Sequence, residues 1–333
     1  STQGVSSAAS DVYKRQSTHC ERKGTKSIME KFTTYRDKGT GISPFMPLTS
    51  PDSDNALKTY ILKPVTCLIK FPFFFISSLI LTISSFILPS KFFRPLVRWY
   101  HYAFFNISSV EFLADGVRKS NKKAIDSCRP QEDDVVLVNF SSPLDPWILY
   151  LISRSKRVEF YSVDGKGRLF QVGGPLEAST FAIGHPYISA DSGKLRQTVQ
   201  LDKRAANFVE GTTTNNRSIM TFPRGFDALQ ISERSEYKVI SLKLHPAGCL
   251  ATPIPQSLLS FVYRNISQLH LSGRYRLKSF SMKRSELTEA KIRENLSNYG
   301  KLKLLGEYLD LEKKAEFISE RTSKMGGKKR KMN

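Results

Sequence analysis

The sequence predicts an α/β protein: a single domain with a mixed central sheet flanked by helices, preceded by an N-terminal membrane segment. A charge-free run of twenty residues, 71–90, is long enough to cross the hydrocarbon core of a bilayer as a helix. Val135–Val138 is a short, continuously apolar and β-branched run, which is typical of a strand buried on both faces. Segments with the composition of strands and helices then alternate along the chain, and this alternation favours the α/β class.

The composition limits the partners that we expect. The 333-residue chain has a formal net charge of +21 at pH 7, which suggests nucleic acid first. No nucleic-acid-binding fingerprint is present, and the clearest basic run, Lys328–Lys331, follows two glycines near the C-terminus. That run fits a nuclear signal, a contact with anionic lipid, or a solvated end. We therefore expect membrane lipids, and no nucleic acid, as partners.

Residues 1–28 are Ser/Thr-rich and basic and lack apolar periodicity, which indicates a disordered leader that is not necessarily native to the protein. The four cysteines contain no C-x-x-C pair, so we predict neither a metal site nor a disulfide framework. The sequence then divides into a polar juxtamembrane segment (29–70), a membrane-embedded helix or hairpin (71–90), the α/β domain (91–323) and a basic tail (324–333).

The apolar segment would be about 30 Å long as a helix, with Pro72 in its first turn and Pro89 near its end, where proline costs least. The alternative is a fully buried core helix. Basic residues flank both ends equally, so the positive-inside rule leaves spanning and re-entrant arrangements open. The aromatic and basic segment 94–105 fits either the headgroup layer or an amphipathic helix packed on the domain.

The Val135–Val138 strand is followed at once by Asn139-Phe-Ser-Ser-Pro-Leu-Asp145, and a helix is predicted over Trp147–Ile152. This loop therefore lies on a strand-to-helix turn, where α/β proteins bind ligands. Further elements are predicted as follows: strands at 158–163, 183–188 and 240–244 (the last half exposed), a helix at 195–206, and a final amphipathic helix with an apolar stripe of Leu304, Tyr308, Leu311, Ala315 and Ile318.

Two segments resemble blocks of the glycerolipid acyltransferases. The loop 139–145 is similar to the family's Asn-His-x-Ser-x-x-Asp block, and Phe208-Val-Glu-Gly-Thr-Thr-Thr-Asn-Asn-Arg-Ser218 to its Phe-Pro-Glu-Gly-Thr-Arg-Ser block. The opening Met29–Pro47 closely resembles the N-terminus of the fungal lysophosphatidate:oleoyl-CoA acyltransferase branch, which lacks the His.

This resemblance implies a glycerophosphate-acyltransferase-like domain that acylates a lysophospholipid from acyl-CoA. It implies a 1-acylglycerol-3-phosphate O-acyltransferase making phosphatidate, with acyl-CoA as co-substrate and no cofactor. It also implies a place at the endoplasmic reticulum membrane or lipid droplets, with the catalytic domain facing the cytosol.

The resemblance assigns catalytic positions to Asn139, Ser142 and Asp145, and substrate binding to Glu210, Gly211, Thr212, Arg217 and Arg224. In the family the block-one His is the base and the Asp orients it, whereas position 140 here is Phe. Asp145 could itself accept a hydrogen bond from the substrate hydroxyl; His185, six residues before Asp191, comes nearest to the family spacing. The alternative function is a catalytically inactive protein of this fold that binds lipid or acts as a scaffold.

Overall fold

The computed structural model describes residues 32–48, 57–155, 157–184, 196–198, 200–201, 205–223, 230–231, 237–268 and 273–330. The chain forms two units, residues 1–36 and 37–333. In the first unit, Thr33–Tyr35 form a short 3-10 helix. The other described helices and strands belong to the second unit.

The helices of the second unit come before, between and after the strands. A π-helical turn, Lys58–Leu62, leads into the first, and a 3-10 helix, Arg284–Glu286, lies near the C-terminus. The α-helices are α1 (Lys63–Ile87), α2 (Ser90–Phe105), α3 (Lys122–Ser127), α4 (Asp145–Ile152), α5 (Pro175–Gly184), α6 (Ala247–Leu250), α7 (Leu258–Ile266), α8 (Glu289–Asn298) and α9 (Leu311–Arg330).

The strands are β1 (Ile107–Ala114), β2 (Val135–Val138), β3 (Glu159–Val163), β4 (Leu169–Gly173), β5 (Arg196–Thr198), β6 (Gln200–Leu201), β7 (Ala205–Phe208), β8 (Ser218–Ile219), β9 (Gln230–Ile231), β10 (Tyr237–His245), β11 (Gly273–Met282) and β12 (Lys303–Leu304). Eight of them form a sheet of order β1-β11-β10-β2-β7-β3-β4-β5. The sheet is mixed, because β10, β2, β7 and β3 run parallel while β11 and β4 pair antiparallel. The predicted α/β class with a mixed sheet and flanking helices is thereby confirmed.

The central strand β2 is buried on both faces, as its sequence predicts. Val136 and Val138 pack into one core, and Val135 and Leu137 pack into the other. A continuous run of β-branched and aliphatic side chains suits this position, since both faces of the strand are covered. The carboxyl end of β2 therefore lies in the interior of the protein.

The apolar helix α1 is largely exposed. Within the described residues, one helix is long and apolar enough to cross a membrane, Thr59–Ile87, and 6% of its most apolar stretch is buried. This exposure argues against the alternative of a fully buried core helix. The helix begins earlier than predicted and ends at Ile87, so Pro72 lies inside it rather than in its first turn. Apolar residues upstream of Phe71 extend the helix, at the loss of the one backbone hydrogen bond that Pro72 cannot make.

Helix α2 packs on the domain, which is one of the two roles that its sequence left open. Phe93, Val97 and Tyr100 are buried on the side that faces the domain, whereas Trp99 and Tyr102 are exposed. The helix is thus an amphipathic element packed on the domain that also presents aromatic side chains outward.

Two predicted elements before the second motif are wrong. Ile183 lies in helix α5 rather than in a strand, and residues 185–188 lie outside the described part of the chain. Within 195–206, which were predicted as a helix, the described residues form β5, β6 and the start of β7. The helical composition of this segment is overridden by pairing of β7 with its neighbours β2 and β3.

Two later elements differ in detail from their prediction. The strand over 240–244 exists within β10 but is buried, because β10 has strand partners on both sides. Helix α9 begins only at Leu311, so Leu304 lies in β12 instead of on the helix. Over residues 311–324, the part of α9 whose side chains are described, the buried positions are Leu311, Lys314 and Phe317. The predicted stripe is therefore wrong in register.

Three exposed apolar residues of α1 provide a test of membrane attachment. Ile76, Leu79 and Ile83 are each at least 50% exposed, and a charge in the bilayer centre costs about 2.5–3.5 kcal/mol per residue. We expect the unmodified protein to resist alkaline carbonate extraction and the triple aspartate variant of these positions to be released. The triple alanine variant is the matched control and should stay with the membrane. Complete release of the unmodified protein would refute membrane integration.

Candidate functional site

The two motif loops lie side by side in the structure. The loop 139–145 leaves the carboxyl end of β2, and the loop 209–217 leaves the carboxyl end of the adjacent parallel strand β7. Thr214 donates its backbone N–H to the Phe140 carbonyl at 2.9 Å, which joins the two loops directly. Parallel strands place their carboxyl ends at one edge, so this is the crevice position that α/β folds use for ligands.

Asp145 is completely buried at the start of α4 and accepts four hydrogen bonds. The donors are the Ser141 and Ser142 backbone N–H groups, both at 2.8 Å, the Ser141 hydroxyl at 3.0 Å and the Tyr275 hydroxyl at 3.1 Å. Burial raises the pKa of Asp145 to about 7, although these donors oppose the shift. The Asp145 carboxyl group therefore stabilises the conformation of its own loop, and its oxygens accept hydrogen bonds from protein groups.

Asn139 and Ser142 tie the same loop to the rest of the sheet. The Asn139 amide donates to the Leu242 carbonyl at 3.0 Å and accepts from the Leu242 N–H at 2.8 Å. The Ser142 hydroxyl donates to the Leu250 carbonyl at 2.8 Å. Both side chains are buried. Their contacts fix the loop against β10 and α6.

Phe140 occupies the position that a histidine takes in the acyltransferase block that this loop resembles, and its ring is part of the core. It stacks on Phe208 with a centroid separation of 3.8 Å and an interplanar angle of 14°, and Phe181 lies nearly parallel to it at 6.4 Å. The side chain has no solvent exposure. Position 140 thus contributes apolar packing between β7 and α5, and it supplies no proton acceptor.

Glu210 and Gly211 form the tight start of the second loop. The Glu210 carboxyl accepts the Met220 N–H at 2.7 Å and the Phe140 N–H at 3.2 Å, and burial raises its pKa to about 7. Gly211 has φ +64°, and a Cβ there would lie 2.4 Å from the Val163 carbonyl oxygen. Glycine is therefore required because the backbone passes close to β3.

Lys314 lies on helix α9 and contacts this second loop, and the sequence did not predict it as a site residue. Its ammonium group is buried and donates to the Thr212 hydroxyl, to the Thr213 carbonyl and, at 3.3 Å, to the Thr213 hydroxyl. Burial lowers the pKa of Lys314 well below its usual value, and the nearby Glu210 opposes this shift. The sequence pattern that could have revealed it is the spacing: Lys314 lies three residues after Leu311, on the same, buried side of α9.

The Thr/Asn part of the loop uses its side chains inside the protein. The Asn215 amide donates to the Ser43 carbonyl at 2.8 Å. The Asn216 amide donates to the Ser141 hydroxyl at 3.0 Å, with Asn216 itself in the left-handed region at φ 59°. Arg217 is the exposed residue at the end of the loop. Arg224 and His185 lie outside the described residues.

An apolar cavity of about 750 Å³ lies beside the first motif loop. Its walls come from α1, α2, α4, α5 and α7, and it borders the loop at Pro143 and Leu144. Ligand cavities of roughly 300–1,000 Å³ with mainly apolar walls are typical of small-molecule sites. No local sequence pattern indicates this cavity, because its lining comes from five helices spread between residues 74 and 262. Within the described residues, no group of three or more His, Cys, Asp or Glu is placed to hold a metal ion.

The fold and the two loops define an α/β protein with an apolar N-terminal helix and with the motif order of the glycerolipid acyltransferases. Comparison with known proteins gives the particular relatives. The chain is 29% identical over 250 residues to a Schizosaccharomyces pombe protein provisionally named lysophosphatidic acid:oleoyl-CoA acyltransferase, covering 70% of this chain and 78% of that protein. It is 24% identical over 317 residues to lysophosphatidic acid:oleoyl-CoA acyltransferase 1 of Saccharomyces cerevisiae, covering 88% of this chain and 97% of that protein.

The predicted resemblance to the fungal lysophosphatidate:oleoyl-CoA acyltransferase branch is confirmed by these relatives. No protein-family profile matches the chain. No solved structure matches it.

Proposed function

We propose that this protein transfers an acyl group from acyl-CoA to a lysophospholipid, with 1-acylglycerol-3-phosphate as acceptor and phosphatidate as product. The observation that carries the proposal is the apolar cavity between the exposed helix α1 and the first motif loop. An acyl chain that leaves a membrane along α1 would enter this cavity and reach the loop. The names of the two relatives support the same reaction class and the same two substrates.

The site residues predicted from the sequence divide into two groups under this proposal. Asp145, Ser142 and Asn139 hold the shape of the first loop through their buried hydrogen bonds. Glu210, Gly211 and Thr212 do the same for the second loop. Arg217 lies at the exposed end of the second loop, so its guanidinium can contact a substrate phosphate. Arg224 is a second phosphate candidate.

The apolar exposed helix supports a place in a membrane, and we propose the endoplasmic reticulum or lipid droplets with the α/β domain facing the cytosol. The reaction consumes acyl-CoA as co-substrate and needs no cofactor. These parts of the proposal follow from the resemblance to the fungal enzymes.

A second candidate function is supported by one observation. Phe140 replaces the family's base and is packed in the core, and no histidine in the described part of the chain contacts Asp145. A catalytically inactive protein that binds lipid in the cavity, or acts as a scaffold, would show the same arrangement.

One assay distinguishes the two candidates. The protein in lipid nanodiscs is given radiolabelled oleoyl-CoA and a panel of lysophospholipids, and acyl transfer and lysolipid binding are both measured. We expect transfer, fastest to lysophosphatidate. Binding without transfer to any acceptor would refute the enzyme and favour the lipid-binding candidate.

A substitution at the cavity tests where the acyl chain binds. Thr180 is exposed, lines the cavity and donates its hydroxyl to the Glu177 carbonyl. Thr180→Trp should fill part of the cavity and lower acyl transfer by about tenfold, which corresponds to 1.4 kcal/mol. Thr322→Trp is the matched control, because Thr322 is also an exposed helical residue with its hydroxyl bonded to a backbone carbonyl, far along the chain on α9. Equal activity of the two variants would contradict acyl-chain binding in this cavity.

A further inference from the structure

His101 lies on the wall of the apolar cavity and belongs to no motif. It is 3% exposed, and it lines the cavity together with Leu144 and Trp147 from the segment around the first motif loop. Its ring is 5.8 Å from the Trp147 ring and 5.7 Å from the Phe105 ring. An imidazole therefore borders the same space into which we place the acyl chain.

One hydrogen bond fixes the tautomer of His101. Its Nδ1 atom lies 2.8 Å from the Val97 carbonyl oxygen. A carbonyl oxygen can only accept, so Nδ1 carries the hydrogen, and in the neutral ring Nε2 keeps its lone pair. Burial lowers the pKa of His101 to about 4, so the ring is neutral at cytosolic pH. The neutral ring with its hydrogen on Nδ1 leaves the Nε2 lone pair as a proton acceptor, and a pKa this far below neutral makes that acceptor a weak base.

The titratable or charged residues on the elements around His101 are few. Among the described residues that line the cavity they are Tyr100 on α2, Tyr150 on α4, Arg157 before β3 and Glu177 on α5, whereas the lining residues of α1 and α7 carry no charge. Arg157 and Glu177 are exposed at the outer part of the cavity. Among the residues that the structure describes, no carboxylate contacts His101, so the Val97 carbonyl takes the orienting role that an Asp has in the family.

We propose that His101 is the general base of the acyl transfer, acting in the cavity in place of a block-one histidine. This inference rests on the proposed function. The lysophospholipid hydroxyl oxygen attacks the thioester carbonyl carbon and its proton passes to His101 Nε2. The tetrahedral intermediate then collapses, the carbon–sulfur bond breaks, and the CoA thiolate leaves with that proton. The product ester, free CoA and the neutral imidazole result, so no further reactant is needed.

The decisive variant is His101→Asn, because an asparagine Nδ2 can keep the bond to the Val97 carbonyl while Nε2 is lost. Base catalysis contributes about 10²–10⁴-fold, so we expect turnover to fall by about 10²-fold or more. Lysolipid binding and the thermal midpoint of the nanodisc-embedded protein should stay close to those of the unmodified protein. His101→Phe removes the Val97 bond as well and serves as the comparison.

The pattern of the variants separates a base from a structural histidine. If both variants lose turnover and only the phenylalanine variant loses stability, the base is supported. Added imidazole should then restore turnover of His101→Ala, which no structural role would produce. If His101→Asn retains full turnover while His101→Phe does not, the histidine is structural and the inference is overturned. Absence of transfer by the unmodified protein would overturn the proposed function itself, and this inference with it.

Discussion

Asp145→Ala is expected to prevent stable folding. The substitution leaves four buried donors, from Ser141, Ser142 and Tyr275, without their acceptor. Each unsatisfied buried group costs about 1–3 kcal/mol, while the whole domain is stable by only about 5–15 kcal/mol. We expect the alanine variant to be recovered as aggregate, or to unfold at a much lower urea concentration than the unmodified protein.

Asp145→Asn is the matched variant and should fold. Its carbonyl oxygen can accept the two backbone N–H groups, and its amide can donate to the Tyr275 hydroxyl. If Asp145 only holds the loop, acyl transfer should persist within about tenfold of the unmodified protein, whereas loss of a proton acceptor would lower it by about 10²-fold or more. If Asp145→Asn folds but is inactive, Asp145 would be the general base, and the proposed role of His101 would be contradicted.

The pH dependence of stability gives a second comparison between the unmodified protein and Asp145→Asn. Burial raises the pKa of Asp145 from its usual value of 3.8 to about 7, so between these values the folded state binds a proton that the unfolded state has released. Stability from this group is therefore present below about pH 4 and is lost as the pH rises toward 7. The free energy of unfolding, measured with urea, should fall between pH 5 and pH 7. This fall should be smaller by about 1 kcal/mol or more in Asp145→Asn than in the unmodified protein. Identical pH dependence of the two proteins would show that the carboxyl is ionised throughout.

The sequence was sufficient to predict the frame that holds the loops. Val135–Val138 reads as a doubly buried strand because strand and burial are both local properties of four β-branched or aliphatic residues. The loop after it and the helix after the loop follow from the same segment, and α4 begins at Asp145, two residues before the predicted start. The positions of the motif residues at one sheet edge therefore follow from the sequence.

The sequence was insufficient where partners are distant along the chain. Residues 195–206 have a helical composition, but Ala205–Phe208 form β7. The strand forms because β2 and β3 supply hydrogen-bonding partners on both sides. The role of Gly211 depends on the backbone of Val163, and that contact is set by the sheet. His101 enters the cavity only because α2 packs beside α4, so a histidine with no carboxylate at the family spacing gave no signal of a site.

Lys314→Met is expected to destabilise the second motif loop strongly. The methionine keeps the length of the side chain in its buried position on α9 but removes the donor to the Thr212 hydroxyl and the Thr213 carbonyl. It also removes the positive charge that opposes the rise in the pKa of the buried Glu210. A buried polar group that loses its hydrogen-bond partner typically costs about 1–3 kcal/mol. We expect a loss within that range, since Glu210 retains two backbone donors.

Two further variants show whether the loss comes from the buried charge. Lys313→Met is the control, because Lys313 is the neighbouring lysine and pairs with Glu316 at the surface, where such a pair contributes about 0–1 kcal/mol. Glu210→Gln in the Lys314→Met background should recover part of the loss, since no buried carboxylate then lacks a cation. Urea unfolding of these proteins and of Glu210→Gln alone gives the coupling energy. If Lys314→Met costs no more than Lys313→Met, the ammonium group does not hold the loop, and Thr212 and Thr213 are kept in place by the surrounding core alone.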